Sequence, residues 1–200
     1  VTGDTLVYVA DGRGNVPIKQ LAEEGKDVPV FCLDNRGKAA VRYMRNPRVT
    51  GKNHEVYKVT LDDGSVVKAT ANHKFRLKSG EYKKVEDLKY GESLRVLTRY
   101  EAPVGPHKHR TQDYWWINNG EFASSFSEHR LIASFYYNQE ISPGFVVHHK
   151  DKNAQNNDPE NLQILSKEDH DAIHAGLMLG DANPMRRASY EWSKDKWLSY

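Results

Sequence analysis

The sequence predicts an α+β protein in two units: an all-β unit over residues 1–100 and a small strand–loop–strand–helix unit over residues 127–185. Three observations predict it. First, β-rich runs closed by Asp, Asn and Gly recur through the first hundred residues. Second, from Ser127 onward a helical apolar pattern is followed by two short strands around an Asn-rich loop. Third, the charge is split. Residues 1–100 hold 19 Lys+Arg against 13 Asp+Glu (+6), and residues 101–200 hold 10 against 14 (−4). The second half also carries seven of the nine His and all four Trp, a shift that points to two units of different origin.

In the first unit, Thr5–Ala10 is a β-rich run ended by Asp11-Gly12, and Val28–Leu33 is a second, ended by Asp34-Asn35-Arg36-Gly37. Ala39–Met44 is a third. Glu55–Leu61 alternates apolar and polar residues at period two, turns at Asp62-Asp63-Gly64-Ser65 and returns as Val66–Thr70. Phe75–Leu77 and Glu92–Leu97 complete the series. Ile18–Glu24 and Val85–Leu88 read as single helical turns. The sum is an all-β sandwich or barrel-like fold.

Residues 101–126 read as a linker and lead-in. In the second unit, Ser127–Asn138 is a helix, with Ser127 as N-cap and Leu131, Ile132, Phe135 and Tyr136 at helical spacing. Gly144–His149 is a strand, Lys150–Pro159 a polar loop and Glu160–Leu165 a second strand. Ser166 caps a further helix, with Asp169 three residues on as an acidic stand-in for the capping box. That helix carries His170 and His174 at i and i+4, on one face. Residues 186–200 read as an amphipathic tail helix.

Composition excludes several classes. Charged residues are 28% and hydrophobic residues 38% of the 200, with a mean hydropathy of −0.78. That is a soluble globular balance with no run of eighteen apolar residues. The opening VTGDTLVYVADGRG lacks the pattern of a signal peptide. The single Cys32 rules out a disulfide framework and a cysteine zinc knuckle. A reducing, cytoplasmic setting is the expectation that follows.

Val1-Thr2-Gly3-Asp4-Thr5-Leu6-Val7 resembles the opening block of an intein, the Hint fold. Leu61-Asp62-Asp63-Gly64-Ser65 with Lys68–Phe75 resembles the second intein block, with its Thr-x-x-His at Thr70 and His73. Val85–Glu92 resembles the segment that follows. The resemblance implies an N–S acyl shift in which Thr70 and His73 polarise the scissile amide, and His73 protonates the departing amine. On its own, a Thr-x-x-His is also a hydroxyl and an imidazole satisfying loop backbone. The family's nucleophilic Cys falls one place before Val1, and Cys32 sits mid-strand as a small hydrophobe. The family's C-terminal His-Asn block is not matched either. As given, the chain is therefore expected not to splice: it reads as a trimmed piece, the N-terminal piece of a split system, or a relic.

The second unit, VVHHKDKN…NNDPENLQIL…EDHDAIH, resembles the ββα-metal motif of HNH nucleases. Glu128–Ala133 is similar to the helix that precedes the motif in phage and homing enzymes, and Gly180–Met185 to their "GxxNPM" tail. The resemblance implies His149 as general base, Asn161 as the residue that orients it, and His148, His170 and His174 as metal ligands. Asp151, Asn153 and Asn157 are read as loop-shaping Asx turns. The expected cofactor is one divalent ion, with Mg²⁺ or Mn²⁺ favoured by the family and Zn²⁺ by an all-His donor set.

Together the two resemblances imply an intein-associated homing endonuclease acting on double-stranded DNA. Its other partners are a C-terminal intein segment or a host extein, and no membrane is expected. The alternative is a Hint fragment whose HNH module only binds DNA or is inactive. Expected DNA contacts are Lys108, Arg110, Lys150, Lys152, Arg186 and Arg187. Tyr114-Trp115-Trp116 is read as core packing, with base stacking the alternative.

Overall fold

A computed structural model describes residues 1–102, 114–120 and 125–174. Strands β1 (Leu6–Val9), β2 (Gly14–Pro17), β3 (Val28–Leu33) and β4 (Ala39–Met44) form an antiparallel sheet in the order β2-β1-β3-β4. Helix α1 (Ile18–Glu24) lies between β2 and β3 and ends on Gly25, whose φ of +61° suits a residue without Cβ. Hairpins β5–β6 (Tyr57–Thr60, Val66–Ala69) and β7–β8 (Lys74–Arg76, Tyr82–Lys84) follow. The β5–β6 turn closes as its composition requires: Gly64 takes φ +82°, and Asp63 Oδ1 accepts from the Ser65 amide at 2.8 Å. Val85–Asp87 is one 3₁₀ turn, as expected.

The segment Glu92–Leu97, expected as a strand, holds only an isolated bridge between Leu77 and Leu94. Two short strands, β2 and β8, escaped the sequence reading because each has too few alternating residues to declare a period. Residues read as linker and lead-in carry structure. Strands β9 (Thr98–Ala102), β10 (Tyr114–Asn118) and β11 (Ser125–Ser127) pair in the order β11-β10-β9.

Helix α2 (Glu128–Tyr136) starts directly after β11. Ser127 occupies the N-cap position but makes no side-chain cap bond. Strands β12 (Phe145–His149) and β13 (Leu162–Ser166) pair antiparallel, with Val147 opposite Ile164 and His149 opposite Leu162. Residues 160 and 161, expected at the start of the second strand, form a 3₁₀ turn with Pro159 instead. Pro pre-sets the φ of such a turn, and Asp158 Oδ1 caps it by accepting from the Glu160 amide at 2.9 Å. Helix α3 (Lys167–His174) is capped as expected. Ser166 Oγ accepts from the Asp169 amide at 3.0 Å and donates to the Asp169 carboxylate at 2.6 Å.

One apolar core joins the two halves. Ala10 and Val41 of the first unit pack with Ile132, Ala133, Val147 and Leu162 of the second, and Phe31, Phe135 and Tyr136 seal the edge. A smaller core of Val9, Val16, Leu21 and Val28 lies wholly in the first unit. Polar contacts reinforce the joint. Asn119, buried, donates to the Gly37 carbonyl at 2.8 Å, and Gln155 bonds Glu101. Gly12 (φ +90°) lies so close to the loop after β12 that a Cβ there would fall 3.0 Å from Asp158 Oδ2. Among the described residues, no helix is long and apolar enough to cross a membrane.

Candidate functional site

Strand β12 decides the geometry. Successive side chains of a strand point to opposite faces, so His148 and His149 part company although both are buried at 6% exposure. Helix α3 packs on the His148 side. The ring of His148 lies 5.4 Å from those of both His170 and His174, and the last two are 4.5 Å apart. One ring nitrogen from each of the three falls within 4.8 Å of the others. The i,i+4 spacing on α3 is what stacks His170 over His174.

These residues fit a metal ion. Burial, followed by the neighbouring His170 and His174, holds the His148 pKa below the usual imidazole range. A neutral imidazole offers the lone pair that a metal requires. The Asp171 carboxylate lies 3.6 Å from His170 Nδ1, where it can orient that ring.

His149 faces α2 and β10. Its Nε2 lies 2.9 Å from Asn157 Oδ1. Asn157 Nδ2 donates to Glu128 Oε1 at 2.9 Å. Glu128 is 1% exposed, and it also receives Arg99 Nε at 2.6 Å, Arg99 NH2 at 3.2 Å and the Tyr8 hydroxyl at 3.0 Å. Burial and the adjacent Glu128 raise the Tyr8 pKa, so its hydroxyl remains a donor. The Arg99 guanidinium sits 3.4 Å from the Trp115 ring centroid and 4.8 Å from that of Tyr8. Trp115 is thus half-buried packing against a cation rather than an open stacking platform.

Beside His149 stand the rings of His129 (5.4 Å) and Tyr114 (6.1 Å). Desolvation, and secondarily the neighbouring His149, pull the His129 pKa down to about 3. His129 Nδ1 is buried without a hydrogen-bond partner.

The Asn161 amide bonds across the loop that follows His149: Oδ1 accepts from the Asp151 amide at 3.0 Å, and Nδ2 donates to the Asn156 carbonyl at 2.8 Å and to Asp151 Oδ1 at 2.9 Å. The residue that meets His149 is Asn157, read from the sequence as a turn former. Asp151 and Asn153 do form the expected Asx turns, accepting from the Asn153 and Gln155 amides at 2.8 and 3.1 Å. The amides of Asn153, Asn156 and Asn161 hold the Asp151 pKa below the usual carboxylate range. Lys150 lies exposed at the loop, its Nζ donating to the Glu160 carbonyl at 2.7 Å, and Lys152 is exposed at φ +63°. Lys108, Arg110, Arg186, Arg187, the Gly180–Met185 segment and the tail helix lie outside the described residues.

The first unit holds a second cluster. A cavity of about 740 Å³ is lined by Val1, Thr2, Gly3, His54, Thr70 and Asn72, among others. Thr70 Oγ1 donates to Asn72 Oδ1 at 2.8 Å, and the His73 amide donates to the Thr70 carbonyl at 3.0 Å. Burial lowers the His73 pKa. Val1 and Thr70 line the same cavity.

Comparison with known proteins bears on both clusters. Residues 128–172 match the HNH endonuclease family. The DNA gyrase B protein of Synechocystis sp. (strain PCC 6803) is 36% identical over 183 residues, which are 86% of this chain and 16% of that protein. The replicative DNA helicase DnaB of Rhodothermus marinus is 32% identical over 106 residues, 53% of this chain and 11% of that protein. The chain thus spans a small part of the relatives it matches. A DnaB intein from Synechocystis sp. PCC 6803 is 31% identical, covering 48% of this chain and 66% of its own, with a TM-score of 0.42. A mutant of an Ssp DnaB mini-intein variant is 30% identical, covering 57% and 68%, also with a TM-score of 0.42.

Residues 128–172 form an HNH endonuclease domain. The chain is α+β, a β unit followed by the HNH unit. Sequence reasoning found the four histidines of β12 and α3 because their spacing is local. It missed Tyr8, Arg99, Glu128, His129 and Asn157. Asn157 was indistinguishable from its Asn neighbours in the loop. Tyr8 and Arg99 lie 120 and 29 positions from Glu128, and no local pattern reports such a contact. The available signal was Glu128-His129 on the first turn of α2, an acidic and an imidazole group placed ahead of an apolar helix face.

Proposed function

We propose that the chain is an intein whose HNH domain hydrolyses phosphodiester bonds of double-stranded DNA, with His149 as general base. One observation carries the reading. The two histidines ending β12 are divided between faces: His148 closes a three-imidazole cluster with His170 and His174, while His149 is tied through Asn157 to the buried Glu128.

The direction of the His149–Asn157 bond follows from its far end. A carboxylate paired with Arg99 only accepts, so Asn157 turns its NH₂ to Glu128 and its oxygen to His149. His149 then carries its proton on Nε2, and Nδ1 is left as the acceptor. In the reaction, Nδ1 takes a proton from the attacking water as its oxygen bonds to phosphorus. The bond from phosphorus to the 3′-oxygen breaks, leaving a 5′-phosphate.

His148, His170 and His174 would hold one divalent ion. When bound, it supplies positive charge to the phosphate and to the leaving oxygen. A set of three imidazoles favours Zn²⁺ or Mn²⁺ over Mg²⁺, which prefers oxygen ligands. Lys150 and Lys152 would meet phosphates of the DNA, with Lys108, Arg110, Arg186 and Arg187 as further contacts. In the first unit, Thr70 and His73 would position the peptide bond on the N-terminal side of the residue that precedes Val1 for splicing, in company with a C-terminal intein segment and the flanking exteins. The natural target of the nuclease is the host gene without its insertion.

The test is incubation of the purified chain with a plasmid carrying the uninterrupted host gene, with Mg²⁺, Mn²⁺ or Zn²⁺ and with chelator, beside His149→Ala. Metal-dependent nicking or linearisation that the variant loses supports the reading. A matched target left intact with every ion overturns it, and leaves a module that binds DNA without cutting.

A further inference from the structure

Glu128 takes no part in the nuclease chemistry itself, yet it is the most deeply buried charged side chain among the described residues, at 1% exposure. Burying a carboxylate is costly unless each oxygen is satisfied. Four donor contacts from three residues satisfy this one, and two of those residues lie outside the HNH unit: Tyr8 on β1 and Arg99 on β9. The third, Asn157, is the residue that touches His149.

We propose that Glu128 is a positioning residue for the nuclease, acting through Asn157 to hold the His149 base in its Nε2–H form, with Arg99 and Tyr8 of the β unit holding Glu128. The proposal rests on the reading of His149 as general base, and it adds that the nuclease site is completed by the splicing-type unit.

Hydrogen-bond direction decides the matter. A free Asn amide meets a histidine with either its oxygen or its NH₂. Each choice selects a different tautomer of the ring, and only one of them leaves Nδ1 unprotonated. An ionised carboxylate at the other end removes the choice, because it cannot donate. Arg99 pairs with that carboxylate by a two-nitrogen contact, and its guanidinium lies against the Tyr8 and Trp115 rings. The shared apolar core packs Ala10, two residues after Tyr8, with Ile132 and Ala133 of α2, and the Tyr8 hydroxyl reaches Glu128. A second observation agrees. Gly12 of the β1–β2 turn abuts Asp158, one residue from Asn157, so the first unit also braces the loop backbone.

The experiment uses the full chain with ¹⁵N-labelled histidine. Ring nitrogen shifts at alkaline pH, where the imidazoles are neutral, read the tautomer of His149 directly, with the signal assigned by its loss in His149→Ala. Cleavage rate and DNA affinity are measured on the same samples. Wild type is expected to show one tautomer, protonated on Nε2. Glu128→Gln, whose amide can donate or accept, is expected to show both forms, with kcat down roughly ten- to hundred-fold and DNA affinity retained. Asn157→Ala leaves the Glu128–Arg99–Tyr8 group intact. It serves as the second variant should Glu128→Gln fail to fold, with the same expected loss of the single tautomer. A folded variant that keeps one Nε2–H tautomer and the wild-type rate overturns the proposal. If the wild-type chain cuts no DNA, the nuclease reading fails by itself, while the tautomer in the two variants still decides the role of Glu128.

Discussion

His148 and His149 are consecutive residues on one strand, both buried, and they are held in different ways. His148 meets two histidines of a helix 22 and 26 positions on, within the same short unit. His149 meets Asn157 and, through it, a carboxylate held by residues from β1 and β9. The first arrangement is local, and among the described residues α3 buries none of its own. The second is spread across the chain and lies at the joint of its two units. A cluster of like groups needs only the spacing of one helix. A polarised chain of unlike groups needs surroundings that fix the direction of each bond. The proposed nuclease centre is therefore half self-contained and half borrowed.

The largest expected effect breaks the self-contained half. Replacing His170 and His174 together by Ala removes two of the three imidazoles. Metal-dependent plasmid cleavage is expected to be abolished, while the thermal transition moves little, because neither ring belongs to the apolar core. A large fall in Tm alongside the lost activity would place α3 in the stabilising core instead.

Arg99→Ala attacks the borrowed half. It leaves Glu128 buried with neutral donors only, and breaking such a pair from one side costs about 3 kcal/mol. Denaturant unfolding should show that loss in a single transition, since the core runs through both units. Two separate transitions, with only one displaced, would argue that the units fold independently.

A pH series sharpens the comparison further. Burial holds His129 neutral, with its pKa pulled down to about 3 from an unfolded value near 6.5. The unfolded chain therefore binds the proton first, so the contribution is present above pH of about 6.5 and is lost as pH falls towards about 3. The slope is at most about 1.4 kcal/mol per pH unit. His129→Phe should flatten that part of the stability curve relative to wild type. An unchanged slope would mean that the ring is protonated in the folded state.

The smallest effect belongs to the distant cavity. Thr70→Ala removes one exposed hydrogen bond, to Asn72, and is expected to cost under about 1 kcal/mol and to leave DNA cleavage at the wild-type rate. A loss of cleavage would couple the splicing-type cavity to the nuclease centre.

The same local-versus-distributed division marks what the sequence disclosed. β3, β4, α1 and the Ser166–Asp169 cap were legible to the residue, because propensity, turn chemistry and capping act over a few positions. The three-histidine cluster was legible for the same reason. The sheet at β9–β11 was hidden by its aromatic and charged composition, which gives no clean alternation. Glu92–Leu97 alternates well but finds only one bridging partner, at Leu77, because pairing depends on the rest of the fold. Asn161 bonds backbone across the loop that follows His149, and no residue of that loop was read as touching the ring itself. The contact belongs to Asn157, since the loop's Asx turns carry that amide, and not its neighbours, into the buried joint.

The most direct test of this division is calorimetric titration of Zn²⁺ or Mn²⁺ into His148→Ala and His149→Ala, with the cleavage rate read on each. His149→Ala is expected to bind one ion as wild type does and to lose cleavage, whereas His148→Ala is expected to lose both. Equal loss of ion binding in the two variants would contradict the division, because both rings would then face the metal.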